Sequence, residues 1–242
     1  MRLKFTLELE NETLPIDFRR KIVATFKNAL SQYDSDYFEA LYGKGKVTNK
    51  DFTFSVYFIP PTKMDNETVT VESKRLIVNF STADANMGIQ FYNALTRQKF
   101  KAFSLSDINE IKLVNIQMEK ERTITGNSAT FTIQSPIVIR DHNDEGKDWF
   151  FLLEDDNAID ILKRNLKTEL KDKFDRDISY DIDALEIEIL KFKKVVVKSY
   201  NLNIPCSLGT IKMQGEQYLL KYLYDRGVGS RRSMGFGMLN LV

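Results

Sequence analysis

Leu3, Phe5, Leu7 and Leu9 alternate with Arg2, Lys4, Thr6 and Glu8, the period-two signature of a strand with one buried face. Pro15 then stands where a helix would begin, and Phe18, Ile22, Phe26, Ala29, Leu30 and Tyr33 follow at spacings of three and four. Period two returns in Phe52–Phe58 and stops at Pro60-Pro61. Strand-like runs at 68–72 and 75–80 come next, then a helix over 85–97 that turns Met87, Phe91, Ala94 and Leu95 inward. Segments 111–118 and 129–140 read as the strands that close this half. The order strand–helix–strand–hairpin–helix–strand is an elaborated βαββαβ unit, the ferredoxin-like arrangement.

The second half repeats the order of elements without repeating residues. Segment 135–140 reads as a strand, and Ile159, Leu162, Leu166, Leu170 and Phe174 mark a helix face. Residues 185–200 are strand-rich, 216–224 are helical with Leu219 and Leu223 inward, and 236–242 form a closing strand. The expected fold is α+β, two ferredoxin-like (RRM-like) βαββαβ domains in tandem, with residues 1–133 in the first and 134–242 in the second. Trp149, Phe150 and Phe151 are expected in the core.

Residue counts narrow the chemistry. One cysteine, Cys206, excludes a disulfide framework and any multi-cysteine metal site. One histidine, His142, excludes a zinc centre built on two or three histidines. Neither a metal nor another cofactor is expected. With 43% hydrophobic and 29% charged residues the chain reads as an ordinary globular protein. It contains no apolar run long enough to span a membrane, and its start lacks the apolar core of a signal peptide. The expectation is a cytoplasmic protein with no membrane partner. The net charge of +1 conceals a polarity: residues 191–242 hold nine Lys or Arg against only Glu216 and Asp225, a local net of +7. Such a segment suits a polyanion, although a chance cluster of solvated lysines fits the same count.

The most specific stretch is Gly227-Val228-Gly229-Ser230-Arg231-Arg232-Ser233-Met234-Gly235-Phe236-Gly237. Its glycines permit positive φ and a close approach to the main chain, its exposed N–H groups are candidates for an anion-binding concavity, and Arg231 and Arg232 add charge. A Walker loop is excluded, since no Gly-Lys-Ser/Thr follows and the order is helix to strand. Phosphate or an RNA backbone is the expected guest, held by Gly227, Gly229, Ser230, Arg231, Arg232, Ser233, Gly235 and Gly237. Lys44 and Lys46, in a basic loop that ends at Lys50, either track phosphates or form a solvated turn.

On these residues, together with Phe52-Thr53-Phe54-Ser55 after the first helix and Ser135-Pro136-Ile137 opening the second half, the chain resembles the CRISPR repeat-RNA endoribonucleases, the Cas6 family. The resemblance spans essentially the whole chain. It implies that precursor crRNA is the substrate and that the ribose 2′-hydroxyl attacks the adjacent phosphate without metal, leaving a 2′,3′-cyclic phosphate and a 5′-hydroxyl. It also allows CRISPR effector-complex subunits as partners, because their backbone subunits carry similar loops. The oligomeric state is left open.

The reaction needs a base for the 2′-hydroxyl, an acid for the 5′-oxygen and a cation near the phosphorane. Many family members use a Tyr in the first helix, a His after it and a Lys before the Phe-Thr-x-Ser strand. Alignment on Phe52–Ser55 puts Lys50 on the family lysine, Lys27 on the tyrosine position and Tyr42 on the histidine position. Two of the three positions therefore depart from the common pattern, and a non-catalytic repeat-RNA-binding member stands beside the enzyme as a rival reading. A structural backbone subunit is the other rival. His142 enters as a further candidate acid or base: if 135–140 is the first strand of the second domain, the loop that follows lies beside the glycine loop. The acidic residues around His142 favour a plain exposed loop instead.

Overall fold

The computed structural model describes residues 1–43, 50–106, 109–142, 148–200 and 202–242. Along the first half run β1 (Arg2–Leu9), β2 (Thr13–Pro15), α1 (Phe18–Tyr33), α2 (Ser35–Tyr42), β3 (Phe52–Phe58), β4 (Thr62–Met64), β5 (Thr68–Val71), β6 (Arg75–Thr82), α3 (Ala85–Arg97), β7 (Ala102–Ser106) and β8 (Asn109–Glu119). The strands order as β3-β6-β1-β8-β7, all antiparallel. Without the added edge strand β7 this is the ferredoxin-like sheet. The strands β2, β5 and β4 form a small separate sheet.

The sequence pattern accounts for the packing. Leu3, Phe5, Leu7 and Leu9 are buried on one face of β1, and α1 presents Phe18, Ile22, Phe26, Ala29 and Leu30 to them. Aromatic rings fill the space between, with Phe26 edge-on to Phe54 at 5.4 Å and to Phe91 at 5.6 Å. Helix α2 has too short an apolar stripe to be seen in the sequence. Its start is fixed by Asp34, whose carboxylate accepts a hydrogen bond from the Tyr37 N–H at 2.9 Å.

The second half contains β9 (Ser128–Ile133), β10 (Ile139–His142), β11 (Asp148–Phe151), α4 (Ala158–Leu170), α5 (Ser179–Asp183), β12 (Glu186–Ser199), β13 (Leu202–Gln214), α6 (Gln217–Arg226) and β14 (Leu239–Leu241). Its sheet orders as β12-β13-β9-β14, the same ferredoxin-like arrangement, so two such units stand in tandem. Three sequence expectations need correction. Segment 129–140 does not close the first sheet: β9 pairs with β13 and β14, and the sheets change between Glu119 and Ser128, ahead of the 133/134 border. That strand ends at Ile133, Ile137 makes only an isolated bridge to Ser207, and 139–142 pairs with β11 alone as a separate two-stranded ribbon. At the C-terminus, the extended pairing shrinks to Leu239–Leu241.

The polar face of the first sheet is not a solvent face. Arg2, Thr53, Ser55 and Ser81 share this face and are all buried, because the second domain covers them. Arg2 donates to the carbonyls of Tyr224 and Leu239 at 2.9 and 2.6 Å, and its guanidinium lies 3.7 Å above the Tyr224 ring centre. Ser81 donates to the Asp225 carbonyl at 2.7 Å, and Thr53 to the Phe236 carbonyl at 2.6 Å. Short polar side chains satisfying main-chain carbonyls across the junction fix one domain on the other.

Candidate functional site

The glycine stretch leaves α6, makes a single 3₁₀ turn at Arg232–Met234 and runs back toward β14 along β3. Its glycines answer to the protein beneath. A Cβ on Gly235, whose φ is +86°, would stand 2.7 Å from the Phe54 ring. One on Gly227, at φ +84°, would stand 2.8 Å from the Thr53 methyl group. Gly229 and Gly237 are buried as well. The N–H groups of Gly227, Gly235 and Gly237 donate to the carbonyls of Leu223, Arg232 and Pro136. Three of the four glycine N–H groups are therefore taken up within the protein, and these glycines shape the loop from inside.

Ser230, Arg231 and Ser233 remain partly exposed, whereas Arg232 is 5% exposed. The Arg232 Nη1 donates to Glu169 at 2.8 Å and to the Gly229 carbonyl at 2.6 Å, and burial lowers its pKa to about 10. Arg232 was expected on the RNA and instead braces the loop. The sequence offers no signal to tell two adjacent arginines apart. The backbone does: Arg231 takes a left-handed φ of +59°, which turns the two side chains different ways.

In the first domain, Lys27 of α1, Tyr42 at the end of α2 and Lys50 just before β3 come together. The Lys27 and Lys50 Nζ atoms lie 4.6 and 4.8 Å from the Tyr42 ring centre. Burial, and then the charge of Lys27, lower the Lys50 pKa. Burial, with a smaller push from Tyr37, raises the pKa of the Tyr42 hydroxyl above the ordinary tyrosine value. Tyr42 therefore stays protonated, and any proton taken up here goes to a lysine amine.

Lys50 opens onto a cleft of about 240 Å³ that is lined also by Arg140, Glu169, Ser230, Arg231, Arg232 and Ser233. Cations from both domains outnumber the one carboxylate, which is the lining an anion of phosphate size requires. Arg231 has a lowered pKa, first through burial and then through the charge of Arg140. A phosphate bound between these two arginines would relieve that repulsion.

His142 lies beside this cleft, not among its lining residues. In the β10–β11 ribbon, Arg140, His142, Asp148 and Phe150 share one face. Asp148 accepts from Arg140 at 3.3 Å, meets the His142 Nδ1 at 2.7 Å and faces Arg231 at 3.9 Å. Burial alone would raise the Asp148 pKa, but the hydrogen bond to His142 and the charge of Arg140 hold it below the ordinary value. The proximity of His142 to the loop comes from this ribbon and not from a strand of the main sheet. Arg140 and Asp148 were missed in the sequence because nothing in it marks the ribbon. Trp149, expected in the core, is 60% exposed. Lys44 and Lys46 lie outside the described residues. Among the described residues, no group of three His, Cys, Asp or Glu side chains is placed to hold a metal ion, and no helix is long and apolar enough to cross a membrane.

Residues 117–241 match the family described as CRISPR associated protein Cas6, C-terminal. Over 250 aligned residues the chain is 26% identical to the CRISPR-associated endoribonuclease Cas6 1 of Methanocaldococcus jannaschii, covering 99% of this chain and 92% of that protein. Two solved structures share the fold at 20% identity. One is from work on a Cas6-related gene of Pyrococcus furiosus, with a TM-score of 0.86 and coverage of 100% of this chain and 98% of the other. The other is described as a RAMP protein binding different RNA substrates, with a TM-score of 0.85 and coverage of 100% and 99%.

Proposed function

The chain belongs to the Cas6 family of CRISPR-associated proteins, and from that premise we propose that it is a CRISPR repeat-RNA endoribonuclease that cuts precursor crRNA by 2′-hydroxyl attack. The observation that carries this reading is the meeting of Lys27, Tyr42 and Lys50 beside a cationic cleft that the glycine loop completes. Arg140, Ser230, Arg231 and Ser233 take the backbone phosphates, with the scissile one at Lys50. The 2′-oxygen attacks phosphorus and gives up its proton, the bond to the 5′-oxygen breaks, and that oxygen takes a proton.

The lysine pair supplies both halves of this exchange. Two ammonium groups against one ring repel each other, and Lys50 already has a lowered pKa. Lys50, with its lowered pKa, serves as the base when neutral, and a charged amine of the pair stands beside the phosphorane. The Tyr42 ring stands between the two amines, 4.6 and 4.8 Å from their Nζ atoms. A slow reaction follows, because a lysine amine is largely charged at neutral pH even when its pKa is lowered. No side chain in this scheme calls for a metal.

A non-catalytic repeat-RNA binder is the second reading, favoured by the protonated Tyr42 at the position where the family pattern has a histidine. End-labelled repeat RNA in excess EDTA, with and without a 2′-deoxy substitution at the cut site, tests both. The enzyme cleaves the unsubstituted RNA and only binds the 2′-deoxy one. Tight binding of both without cleavage makes the protein a binder. Failure to bind either removes the repeat as its ligand and points to a subunit role in an effector complex.

A further inference from the structure

Next to Lys50 in the chain, Asp51 points away from the cleft and is only 3% exposed. Its carbonyl accepts from the Thr82 hydroxyl at 2.7 Å and from the Ala83 N–H at 3.2 Å, which pins its backbone to the end of β6. Its carboxylate reaches into the other domain. There it pairs with Lys173, accepts from the Tyr222 hydroxyl at 3.1 Å and lies 3.8 Å from the Arg226 Nε. Arg226 is fully buried as the last residue of α6, immediately before Gly227. It also pairs with Glu169 of α4, the carboxylate that receives Arg232, and Arg232 donates in turn to the Gly229 carbonyl.

A continuous chain of charge-assisted contacts therefore runs Asp51–Arg226–Glu169–Arg232–Gly229. One end is the residue beside Lys50 in the first domain, and the other is the glycine loop of the second. The hydrogen-bonded links from Arg226 to Gly229 have directional geometry, the Asp51–Arg226 link is an ion pair at 3.8 Å, and a buried charge that loses its partner cannot turn to water for compensation. We propose that Asp51 and Glu169 are positioning residues, which hold Lys50 at a fixed distance from the phosphate-binding loop without touching RNA through Asp51. This inference rests on the endoribonuclease reading for its effect on rate, and on geometry alone for its effect on the loop.

The test uses the full chain carrying Asp51→Asn, Glu169→Gln and the two combined, each shown to be folded by circular dichroism. Single-turnover cleavage of labelled repeat RNA should fall about 10–100-fold in each single variant, the scale of a misplaced catalytic group. In Asp51→Asn, affinity for the 2′-deoxy repeat should change only about threefold, since Asp51 does not line the cleft and Lys50 and Arg231 remain. The double variant should be no slower than about the worse single one, because both act through one network. Asp51→Glu should recover part of the rate. Multiplying losses in the double variant, or wild-type rates in the single ones, overturn the proposal while leaving the endoribonuclease reading intact.

Amide hydrogen exchange gives a readout independent of cleavage. Asp51→Asn, a substitution in the first domain, should speed exchange across residues 227–237 in the second, and unchanged exchange there overturns the coupling even if the wild type cuts no RNA. If Asp51→Asn does not fold, Lys173→Met removes only the outermost partner of Asp51 and should show the same effects, smaller in size.

Discussion

The Phe54 ring occupies the space in which a side chain on residue 235 would start, so the strand and the loop that most mark this sequence are in direct contact. Thr53, one residue earlier, both crowds Gly227 and hydrogen-bonds the Phe236 carbonyl. The Phe-Thr-Phe-Ser strand belongs to the first domain and the glycine loop to the second. Their spacing in sequence hides the fact that each is the other's packing surface.

Gly235→Ala should accordingly act on stability before it acts on RNA. The substitution combines a left-handed φ of +86° with a 2.7 Å approach to a core ring. A loss of roughly 1–3 kcal/mol is expected from the backbone strain, measured by urea denaturation. A variant as stable as the wild type would show that the loop can lift from Phe54 at no cost.

Arg231 and Arg232 should separate cleanly. Arg231→Ala is expected to weaken repeat binding and reduce the log–log salt slope by roughly 0.7 for one lost single-strand phosphate contact. Arg232→Ala should chiefly destabilise the fold, by about 3 kcal/mol, since it breaks a buried ion pair and a loop brace together. Binding titrations over a range of salt, paired with thermal melts of both variants, read this out. The reverse pattern would mean that Arg232 swings out to the RNA.

His142 is exposed and engaged with Asp148 beside the cleft. His142→Ala should leave the cleavage rate well short of the roughly 10²–10⁴-fold loss that removal of a general acid or base brings. The same substitution should raise the Asp148 pKa, because a hydrogen bond to the carboxylate disappears. Single-turnover rates with NMR titration of Asp148 check both parts.

Much of this architecture was legible because its signals are local. The period-two run at residues 2–9 and the stripe of α1 each report a core face directly, and they place the first domain nearly complete. The polar half of the β1 alternation misled in one respect: Arg2 looks solvent-facing in sequence and is buried under Tyr224. Period two shows which residues share a face, not what covers that face. The second domain was harder. In β13, Pro205 and Gly209 interrupt the pattern of a strand, and both are tolerated there: Pro205 lies outside the stretch paired with β9, and Gly209, one pair beyond a register shift with β12, has the Lys191 carbonyl where a Cβ would stand.

The candidate site divided along the same line. Aligning on Phe52–Ser55 brought forward Lys27, Tyr42 and Lys50, which the fold gathers round one ring. Arg140, Asp51 and Glu169 carry no pattern in sequence, since their placement depends on a ribbon and a domain junction. The glycines were read as room for a ligand, and they turn out to be room for Phe54 and Thr53.

The most direct measurement is the single-turnover rate of repeat cleavage in excess EDTA, for the wild type and Lys50→Ala, from roughly pH 6 to 10. Because burial and the charge of Lys27 hold the Lys50 pKa below that of an ordinary lysine, the neutral amine grows with pH from a lower pH than usual. The wild-type rate should therefore keep climbing above neutrality, with no limb near the ~6.5 of an unperturbed histidine. Lys50→Ala should lose about 10²-fold or more in rate while binding the 2′-deoxy repeat nearly as well. A Lys50→Ala variant that cuts at the wild-type rate, or a wild type that cuts only with added magnesium, would contradict a lysine-based site.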